Sequence, residues 1–306
     1  MRAAAIQMQP VLADVDANLD AAERLADAAA VAGADWILLP EFFTTGIAFL
    51  PELAHTALPP DGAAAQLLCA LARRHGATVG GSFLCRDSDG EVRNAFVLAG
   101  PDGRVLGRHD KDLPTMWENA FYVGGNDDGV IPAGDITAGV ALCWELMRSG
   151  TARRLRGRVD LVVGGAGWWS IPPWPPAALT RRWEAANERT ATTVAERFAP
   201  LVGAPVIHAA HAGPVSCPFP GTPFTYRGHL EGGAVVCDAH GNVLARRPRA
   251  DGPGAAIADI EPGRITPAAP IPERFWLHRR GPLPAVIWHA QRAHGRRWYA
   301  RHMRPR

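Results

Sequence analysis

Three residues of this chain combine side-chain types that could break a carbon–nitrogen bond: Glu41, Lys111 and Cys143. A thiolate can attack an amide or nitrile carbon, a carboxylate can move the protons, and an ammonium can stabilise the anion that forms. Lys111 is the single lysine beside thirty-one arginines. Because lysine is a compact point charge and arginine a wide planar fork, this exception indicates a narrow site that needs the smaller cation.

Each of these residues also has an ordinary structural interpretation. A glutamate by itself is most often a solvated surface carboxylate, and a single cysteine is most often a small buried hydrophobic residue. Their positions favour the chemical interpretation, because the three follow the predicted strands at 35–40, 104–109 and 137–142. Ligand sites of α/β proteins form at strand ends, so we expect the three side chains to meet.

The hydrophobic pattern predicts alternating strands and helices along most of the chain. Helices are predicted at 16–32, 62–75, 147–157 and 177–199. Strands are predicted at 2–8, 35–40, 77–84, 93–99, 104–109, 137–142, 160–165, 204–210, 232–238, 242–247 and 255–260. Parallel crossovers mixed with hairpins need helices to cover the sheets, so we expect two packed sheets with helices outside.

Composition narrows the class of protein. The 306 residues are 47% hydrophobic and 20% charged, which is ordinary for a globular enzyme, and the net charge of +2 gives no reason to expect a nucleic-acid partner. No run of eighteen apolar residues is present, so no membrane span is expected. The five cysteines are widely spaced without a CxxC pair, and the N-terminus lacks the apolar region of a signal peptide. These features predict a cytoplasmic protein.

A cluster of six arginines marks the last fifteen residues: Arg292, Arg296, Arg297, Arg301, Arg304 and Arg306. The cluster could form a solvated helix, an arm on a partner subunit or an anion-binding patch. Short charge runs are usually solvated, so we favour the first two.

Four segments resemble the nitrilase superfamily of carbon–nitrogen hydrolases: WILLPEFF (36–43), HDKDLPTMWE (109–118), GVALCWE (139–145) and GHLEGGAVVCDAHGNVLA (228–245). The resemblance spans nearly all of residues 1–260. It implies a four-layer α-β-β-α sandwich at 1–263, followed by a basic arm at 264–306 that packs on the domain or on a partner subunit. It also implies a homodimer or larger homo-oligomer that uses no cofactor and no metal.

The resemblance assigns a role to each matching residue. Glu41 corresponds to the general base, Lys111 to the residue that stabilises the oxyanion, and Cys143 to the nucleophile. Glu118 matches a second glutamate that many members carry shortly after the lysine, where it would hold Lys111 or orient the substrate nitrogen. The backbone N–H of Trp144 directly follows the nucleophile, so we expect it to be the second oxyanion donor.

Two motifs resemble the true nitrilase branch, namely the lysine motif at 111–118 and the Cys-Trp-Glu run at 143–145. They slightly favour hydrolysis of a small nitrile to an acid and ammonia through a covalent cysteine intermediate. An amidase or N-carbamoyl-type hydrolase, or an acyltransferase on the same triad, remains an alternative. A catalytically idle binding protein is a further one, which the complete triad disfavours.

Aromatic residues cluster near these motifs: Phe42, Phe43, Trp117, Phe121, Tyr122, Trp144, Trp168, Trp169 and Trp174. We expect Trp117, Trp168, Trp169 and Phe42 to line an apolar pocket for an aryl or arylalkyl group. Ordinary core packing is the alternative. The Pro-rich segment 167–176 is predicted to be a rigid loop over the pocket mouth.

Two weaker motifs are better explained by structural roles than by ligand binding. Gly165-x-Gly167 is half of a dinucleotide fingerprint, lacks the third glycine, and is predicted to be a tight turn. His208-x-x-His211 has no third ligand at a sensible spacing, so we interpret the pair as structural rather than metal-binding.

Overall fold

The computed structural model describes residues 1–278 and 282–304. The α-helices of these residues are α1 (Val15–Val31), α2 (Ala63–His75), α3 (Ser149–Leu155), α4 (Ala177–Val202) and α5 (Pro282–His302). The strands are β1 (Arg2–Met8), β2 (Trp36–Leu38), β3 (Thr78–Arg86), β4 (Val92–Ala99), β5 (Val105–Asp110), β6 (Val130–Ala133), β7 (Ile136–Val140), β8 (Leu161–Ala166), β9 (Val206–Pro218), β10 (Thr225–Glu231), β11 (Ala234–Cys237), β12 (Val243–Arg247) and β13 (Gly254–Asp259). Short 3-10 helices occupy Pro51–His55, Met116–Ala120, Cys143–Met147 and Arg249–Asp251.

Local sequence explains how the first helix begins and which face it buries. The Asp14 carboxylate accepts a hydrogen bond of 3.0 Å from the backbone N–H of Ala17, which caps the helix start. Ala22, Ala26 and Ala29 recur at helical spacing and are buried. Small side chains on this face let α1 pack closely on the sheet beneath it.

The strands follow one hydrogen-bonded order, β5-β4-β3-β2-β1-β9-β8-β7-β6. β13 pairs with β1, β11 and β10 pair with β9, and β12 pairs with β11. β1 and β9 are paired at only two positions, Gln7 with Ala210 and Met8 with His211. The half that contains β1–β5 and the half that contains β6–β9 therefore share only a short seam.

Alternating residues of β1 show that the two halves face each other. Ala3 and Ala5 belong to a core that also contains residues of β8 and β9, whereas Ala4 and Ile6 belong to the core under α1 and α2. A strand presents successive side chains to opposite faces, so one strand serves both layers. A third core packs α3 and α4 against the second sheet. The four-layer α-β-β-α sandwich expected from the sequence is confirmed.

Most elements predicted from the sequence are present within a few residues, and the differences are mainly in length. β2 is only three residues long, and β9 continues to Pro218 because β10 pairs with its second half. β6 and β10 are unpredicted strands. The predicted basic helix is shorter and follows a 3-10 turn.

The C-terminal helix α5 packs on its own chain. The Tyr299 hydroxyl accepts a hydrogen bond of 2.8 Å from the Val92 backbone N–H and donates one of 2.6 Å to Glu91. Gly295 lies against the 3-10 helix Met116–Ala120, where an added Cβ would come within 2.9 Å of backbone. Residues 279–281 and 305–306 of the arm, including one of the clustered arginines, lie outside the described residues. A partner-subunit contact of the arm stays a prediction.

Within the described ranges, no helix is long and apolar enough to cross a membrane. All five cysteines carry free thiols.

Candidate active site

The structure brings Glu41, Lys111 and Cys143 together. Glu41 opens the turn that follows β2, Lys111 directly follows β5, and Cys143 begins a 3-10 helix three residues after the end of β7. The Lys111 ammonium donates a hydrogen bond of 2.7 Å to Oε1 of Glu41, and the Cys143 thiol lies close enough to Glu41 for the carboxylate charge to raise the pKa of the thiol. The three residues therefore form one contiguous group at the ends of their strands.

The backbone is strained at this group. Phe42, Met116 and Cys143 have positive φ angles of 55°, 51° and 49°. Non-glycine residues adopt such angles at a cost of about 1–3 kcal/mol each, and they do so mainly where the surrounding structure holds them for function. Phe42 directly follows Glu41, and Met116 begins the 3-10 helix that carries Glu118. The strained positions therefore lie at or next to the residues of this group.

Two glycines of β8 let the loops that carry Glu41 and Cys143 approach each other. A Cβ at Gly164 would lie 2.0 Å from the carbonyl oxygen of Ala141, and a Cβ at Gly165 would lie 2.8 Å from the backbone nitrogen of Glu41. The prediction of a tight turn at Gly165 is wrong, because this residue lies within β8. Its requirement for glycine comes from close packing of two backbones against the strand.

Three hydrogen-bond donors hold the Glu41 carboxylate in place. Lys111 and the Asn94 side-chain amide, at 2.9 Å, both donate to Oε1, and the Gly167 backbone N–H donates to Oε2 at 3.1 Å. The Asn94 backbone carbonyl also accepts a 3.0 Å hydrogen bond from the Lys111 backbone N–H. Burial raises the pKa of Glu41 above its ordinary range, although the Lys111 charge opposes the shift. Glu41 is therefore set to take up and return a proton.

Glu118 is bound through one oxygen only. Lys111 Nζ at 2.9 Å, the Thr115 backbone N–H at 2.9 Å and the Tyr122 hydroxyl all donate to Oε2. No donor among the described residues contacts Oε1, and Glu118 lines the large cavity beside the triad. Burial and the Glu118 charge raise the pKa of Tyr122 well above its ordinary value, so the phenol stays a donor. The second carboxylate thus offers one free oxygen to a ligand.

The protonation states follow from burial and from these neighbours. Burial alone would lower the pKa of Lys111, but the charges of Glu118 and Glu41 raise it well above its ordinary value. Burial and the Glu41 charge raise the pKa of the Cys143 thiol. At neutral pH the site therefore contains an ammonium and a protonated thiol beside Glu41.

Glu145, the third residue of the Cys-Trp-Glu run, faces away from the cavity. Its carboxylate accepts hydrogen bonds from the backbone N–H of Leu142 at 2.8 Å and of Asp112 at 3.1 Å, and it contacts His109 Nε2 at 3.2 Å. The other ring nitrogen of His109 contacts Asp127 at 2.5 Å. Glu145 thereby joins the turn that carries the nucleophile to the loop that carries the lysine, and sequence reasoning missed this role.

The His109–Glu145 pair is charged. Burial disfavours the imidazolium, but Glu145 and Asp127 outweigh it and raise the pKa of His109 to about 9. Burial likewise opposes the Glu145 charge, yet His109 and Arg154 hold the pKa of that carboxyl well below its ordinary range. The pair is therefore a fully buried ion pair under the active site.

A cavity of about 620 Å³ opens beside Cys143 and Glu118. Trp117, Trp168 and Trp169 line it, as expected from the sequence. The rings of Trp117 and Trp169 are stacked with centroids 4.1 Å apart. Phe42 does not line this cavity: it is fully buried and packs against Tyr122 with ring centroids 5.8 Å apart. The left-handed turn at Phe42 directs its ring inward, so we leave it out of the substrate pocket.

The Pro-rich segment 167–176 lies along the cavity mouth. Ile171, Pro172 and Trp174 contribute to its wall. The Ser170 backbone N–H donates a 2.8 Å hydrogen bond to the carbonyl of His229, which ties the segment to β10. That the segment covers the pocket mouth stays a prediction.

One group of described residues could hold a metal ion, although the sequence predicts none. Ligand atoms of Glu184, His229 and Glu231 lie within 4.8 Å of one another. Asn187 and Arg249 donate to the two oxygens of Glu231 at 2.7 and 2.9 Å. The Glu231 charge is thus already balanced by protein groups.

His208 and His211 lie on β9, and burial lowers the pKa of each to about 4. Both are therefore neutral. His211 Nε2 lies 3.4 Å from the Phe42 carbonyl oxygen, which places this histidine under the strained turn. Such a contact agrees with a structural role.

Comparison with known proteins gives the family. The carbon-nitrogen hydrolase family model matches residues 2–270. A nitrilase from Pyrococcus abyssi is 28% identical over 206 residues, which cover 64% of this chain and 75% of the relative. An omega-amidase from Yersinia enterocolitica is 31% identical over 181 residues, which cover 58% and 65%.

Solved structures agree in fold. An amidase from Nesterenkonia sp. AN1 has a TM-score of 0.65 at 23% identity, with 85% of this chain and 93% of that chain covered. A CN-hydrolase superfamily protein from Xanthomonas campestris has a TM-score of 0.65 at 21% identity, with 85% and 90% covered. Since the family model spans most of the residues and the architecture agrees, the chain belongs to the carbon–nitrogen hydrolase family.

Proposed function

We propose that the protein hydrolyses a small, neutral, aromatic primary amide to a carboxylic acid and ammonia through a thioester on Cys143. The observation that carries this proposal is the arrangement of the two carboxylates around Lys111. Lys111 binds Glu41 beside the thiol, whereas Glu118 lines the cavity and has one oxygen, Oε1, without a donor among the described residues.

The first half of the reaction follows from the proton positions. Cys143 Sγ attacks the amide carbon, and its proton passes to Glu41, whose raised pKa suits it as acceptor. The carbonyl π electrons move to oxygen, and the oxyanion is stabilised by Lys111 and by the Trp144 backbone N–H. Glu41 then protonates the nitrogen, the carbon–nitrogen bond breaks, and ammonia leaves a thioester behind.

The second half repeats these roles with water. Glu41 takes a proton from the water as its oxygen attacks the thioester carbon. When the tetrahedral intermediate collapses, the carbon–sulfur bond breaks, the sulfur regains a proton from Glu41, and the acid is released. No group outside the protein and the two substrates is needed to balance the atoms.

Glu118 favours an amide as the starting substrate. A primary amide presents two N–H donors, and Glu118, which lines the cavity, has an oxygen without a donor among the described residues. A nitrile nitrogen has no hydrogen to donate. The motif Cys-Trp-Glu keeps nitrile hydrolysis as the second candidate, but Glu145 points to His109 and does not touch the cavity. That motif therefore has no direct means of selecting a nitrile.

The cavity wall favours a neutral aromatic substrate. Among the described residues that line the cavity, none is lysine or arginine, and Glu118 is acidic. A carboxylate on the substrate would find no lysine or arginine among these lining residues, and its burial would be costly. The stacked rings of Trp117 and Trp169 offer flat apolar surface for an aryl group instead.

The test is ammonia release from phenylacetamide and from phenylacetonitrile, with wild type, Cys143→Ala and Cys69→Ala. Cys69 is a partly exposed thiol on α2, so the second variant controls for loss of a cysteine in general. We expect release from the amide, a loss of at least about 10⁴-fold in Cys143→Ala, and normal rates in Cys69→Ala. Release from the nitrile alone would replace the amidase proposal by the nitrilase one.

Acyl transfer is separated from hydrolysis in the same assay by adding hydroxylamine. A hydroxamate that forms at the expense of the acid shows interception of the thioester. If it dominates at low hydroxylamine concentration, the transferase alternative gains support over the hydrolase.

A further inference from the structure

Helix α5 forms one wall of the substrate cavity through a stripe of residues at helical spacing. Trp288 stacks on Trp144 with ring centroids 5.5 Å apart. Two turns later, Gly295 lies against the backbone of Ala120. Gln291 falls between these two contacts on the same face of the helix, so the fold directs its side chain inward.

Gln291 is a polar residue without a protein partner in an aromatic wall. Its side chain is 6% exposed, it lines the cavity, and its Oε1 atom is buried with no hydrogen-bond partner among the described residues. Buried polar side-chain atoms in folded proteins are nearly always paired. An unpaired amide that faces a cavity is therefore set to bind a group that enters the cavity.

A second unpaired polar atom faces the same cavity. Trp169 Nε1, which can only donate, is buried without a partner among the described residues. Ring contacts connect this indole to α5: Trp169 stacks on Trp117, Trp117 packs edge-on to Phe49 at 6.3 Å, and Phe49 contacts His294 at 5.7 Å. Trp169 and Gln291 both line this cavity, so the two unpaired atoms belong to residues of one site.

We propose that Trp169 and Gln291 form a polar subsite that selects an aromatic substrate with a neutral hydroxyl group. The indole N–H donates to the hydroxyl oxygen, and the glutamine carbonyl accepts the hydroxyl proton. This inference rests on the proposed function and names the substituent that the amide substrate carries.

The experiment compares 4-hydroxyphenylacetamide with phenylacetamide in wild type, Gln291→Met and Gln66→Met. The measured quantity is the ratio of kcat/KM for the two amides in each protein. The ratio does not depend on the fraction of folded enzyme, so a variant that folds poorly still gives an answer. Gln66 is on α2, away from the cavity, and its variant is the matched control.

We expect wild type and Gln66→Met to prefer the hydroxylated amide by about 10-fold or more, and Gln291→Met to reduce the preference to about one. Wild type without a preference, or an undiminished preference in Gln291→Met, would overturn the subsite.

A binding measurement separates failure of the subsite from failure of the proposed function. Both amides are titrated calorimetrically into Cys143→Ala, with and without Gln291→Met. The ratio of the two dissociation constants then measures the preference for the hydroxylated amide without turnover. If neither amide is hydrolysed but the Gln291-dependent difference in affinity is present, the subsite stands and the amidase proposal falls. If both are hydrolysed with equal efficiency and bound equally, the subsite falls and the amidase proposal stands.

Discussion

The buried ion pair of His109 and Glu145 should make the stability of the fold depend on pH above neutrality. The imidazole is fully buried between Glu145 and Asp127, with its two nitrogens 3.2 and 2.5 Å from their carboxylates. These carboxylates raise the pKa of His109 to about 9, from an ordinary value of 6.5. Between these two pH values the folded protein retains a proton that the unfolded chain releases.

The proton bound to His109 couples the free energy of unfolding to pH. Because the folded state binds more protons, the free energy of unfolding falls as the pH rises through this window. The contribution is fully present below pH 6.5 and is lost once the pH passes about 9. A shift from 6.5 to about 9 corresponds to about 3 kcal/mol. This is a large fraction of the stability of an ordinary domain.

The assay is urea unfolding at pH 6, 7.5, 9 and 10 for wild type, His109→Gln and His55→Gln. His55 lies exposed on the 3-10 helix Pro51–His55 and serves as the matched control. Other groups that titrate near pH 9 are shared by all three proteins, so they cancel in the differences. We expect wild type to exceed His109→Gln by about 3 kcal/mol or more at pH 6, since removal of one partner leaves Glu145 buried and poorly paired.

The difference between wild type and His109→Gln should shrink by about 3 kcal/mol between pH 6 and pH 10. His55→Gln should follow wild type throughout. If His109→Gln and wild type lost stability in parallel, the imidazole would not carry its proton across this window, and the assignment of a charged pair would be wrong.

Two further predictions concern the groups around Lys111. Lys111→Arg should lower kcat by about 10²–10³-fold. The ammonium is fully buried between Glu41 and Glu118 at 2.7 and 2.9 Å, and a planar guanidinium cannot keep both contacts in that space. A variant with more than a tenth of wild-type kcat in steady-state ammonia release would contradict this prediction. Tyr122→Phe should lower kcat/KM for the amide by about 10–100-fold, the usual value of a hydrogen bond to a charged group, because Glu118 loses one of its three donors. Unchanged kinetics in Tyr122→Phe would show that Lys111 and the Thr115 backbone suffice to hold the carboxylate.

The pattern along the chain was a good guide to the layers and to the triad. Strand and helix periods are local properties, so the alternation that gives the four layers can be seen in windows of ten to fifteen residues. The triad could be predicted for the same reason, since each member follows a predicted strand. The boundaries of β2 and β9 could not be predicted as well, because the lengths of these strands depend on pairing with other strands.

The parts of the site that escaped sequence reasoning are contacts between distant segments. Asn94 lies inside β4 and binds Glu41 across 53 positions of sequence, and Gly167 reaches the same carboxylate across 126. Nothing in the local pattern around Asn94 sets it apart from an ordinary polar strand residue. Glu145 could have been recognised as buried only by knowing that His109 lies opposite it.

The sequence by itself determined which chemistry the chain can perform, because a thiol, two carboxylates and a single ammonium are present whatever the fold, and local hydrophobic periodicity places three of them at strand ends. Only the tertiary structure decided how that chemistry is directed. It turns Phe42 into the core rather than the pocket, leaves one oxygen of Glu118 free, and brings Gln291 of α5 into the cavity wall. These outcomes depend on packing between residues separated by many tens of positions, and such packing is a property of the folded chain rather than of any segment within it.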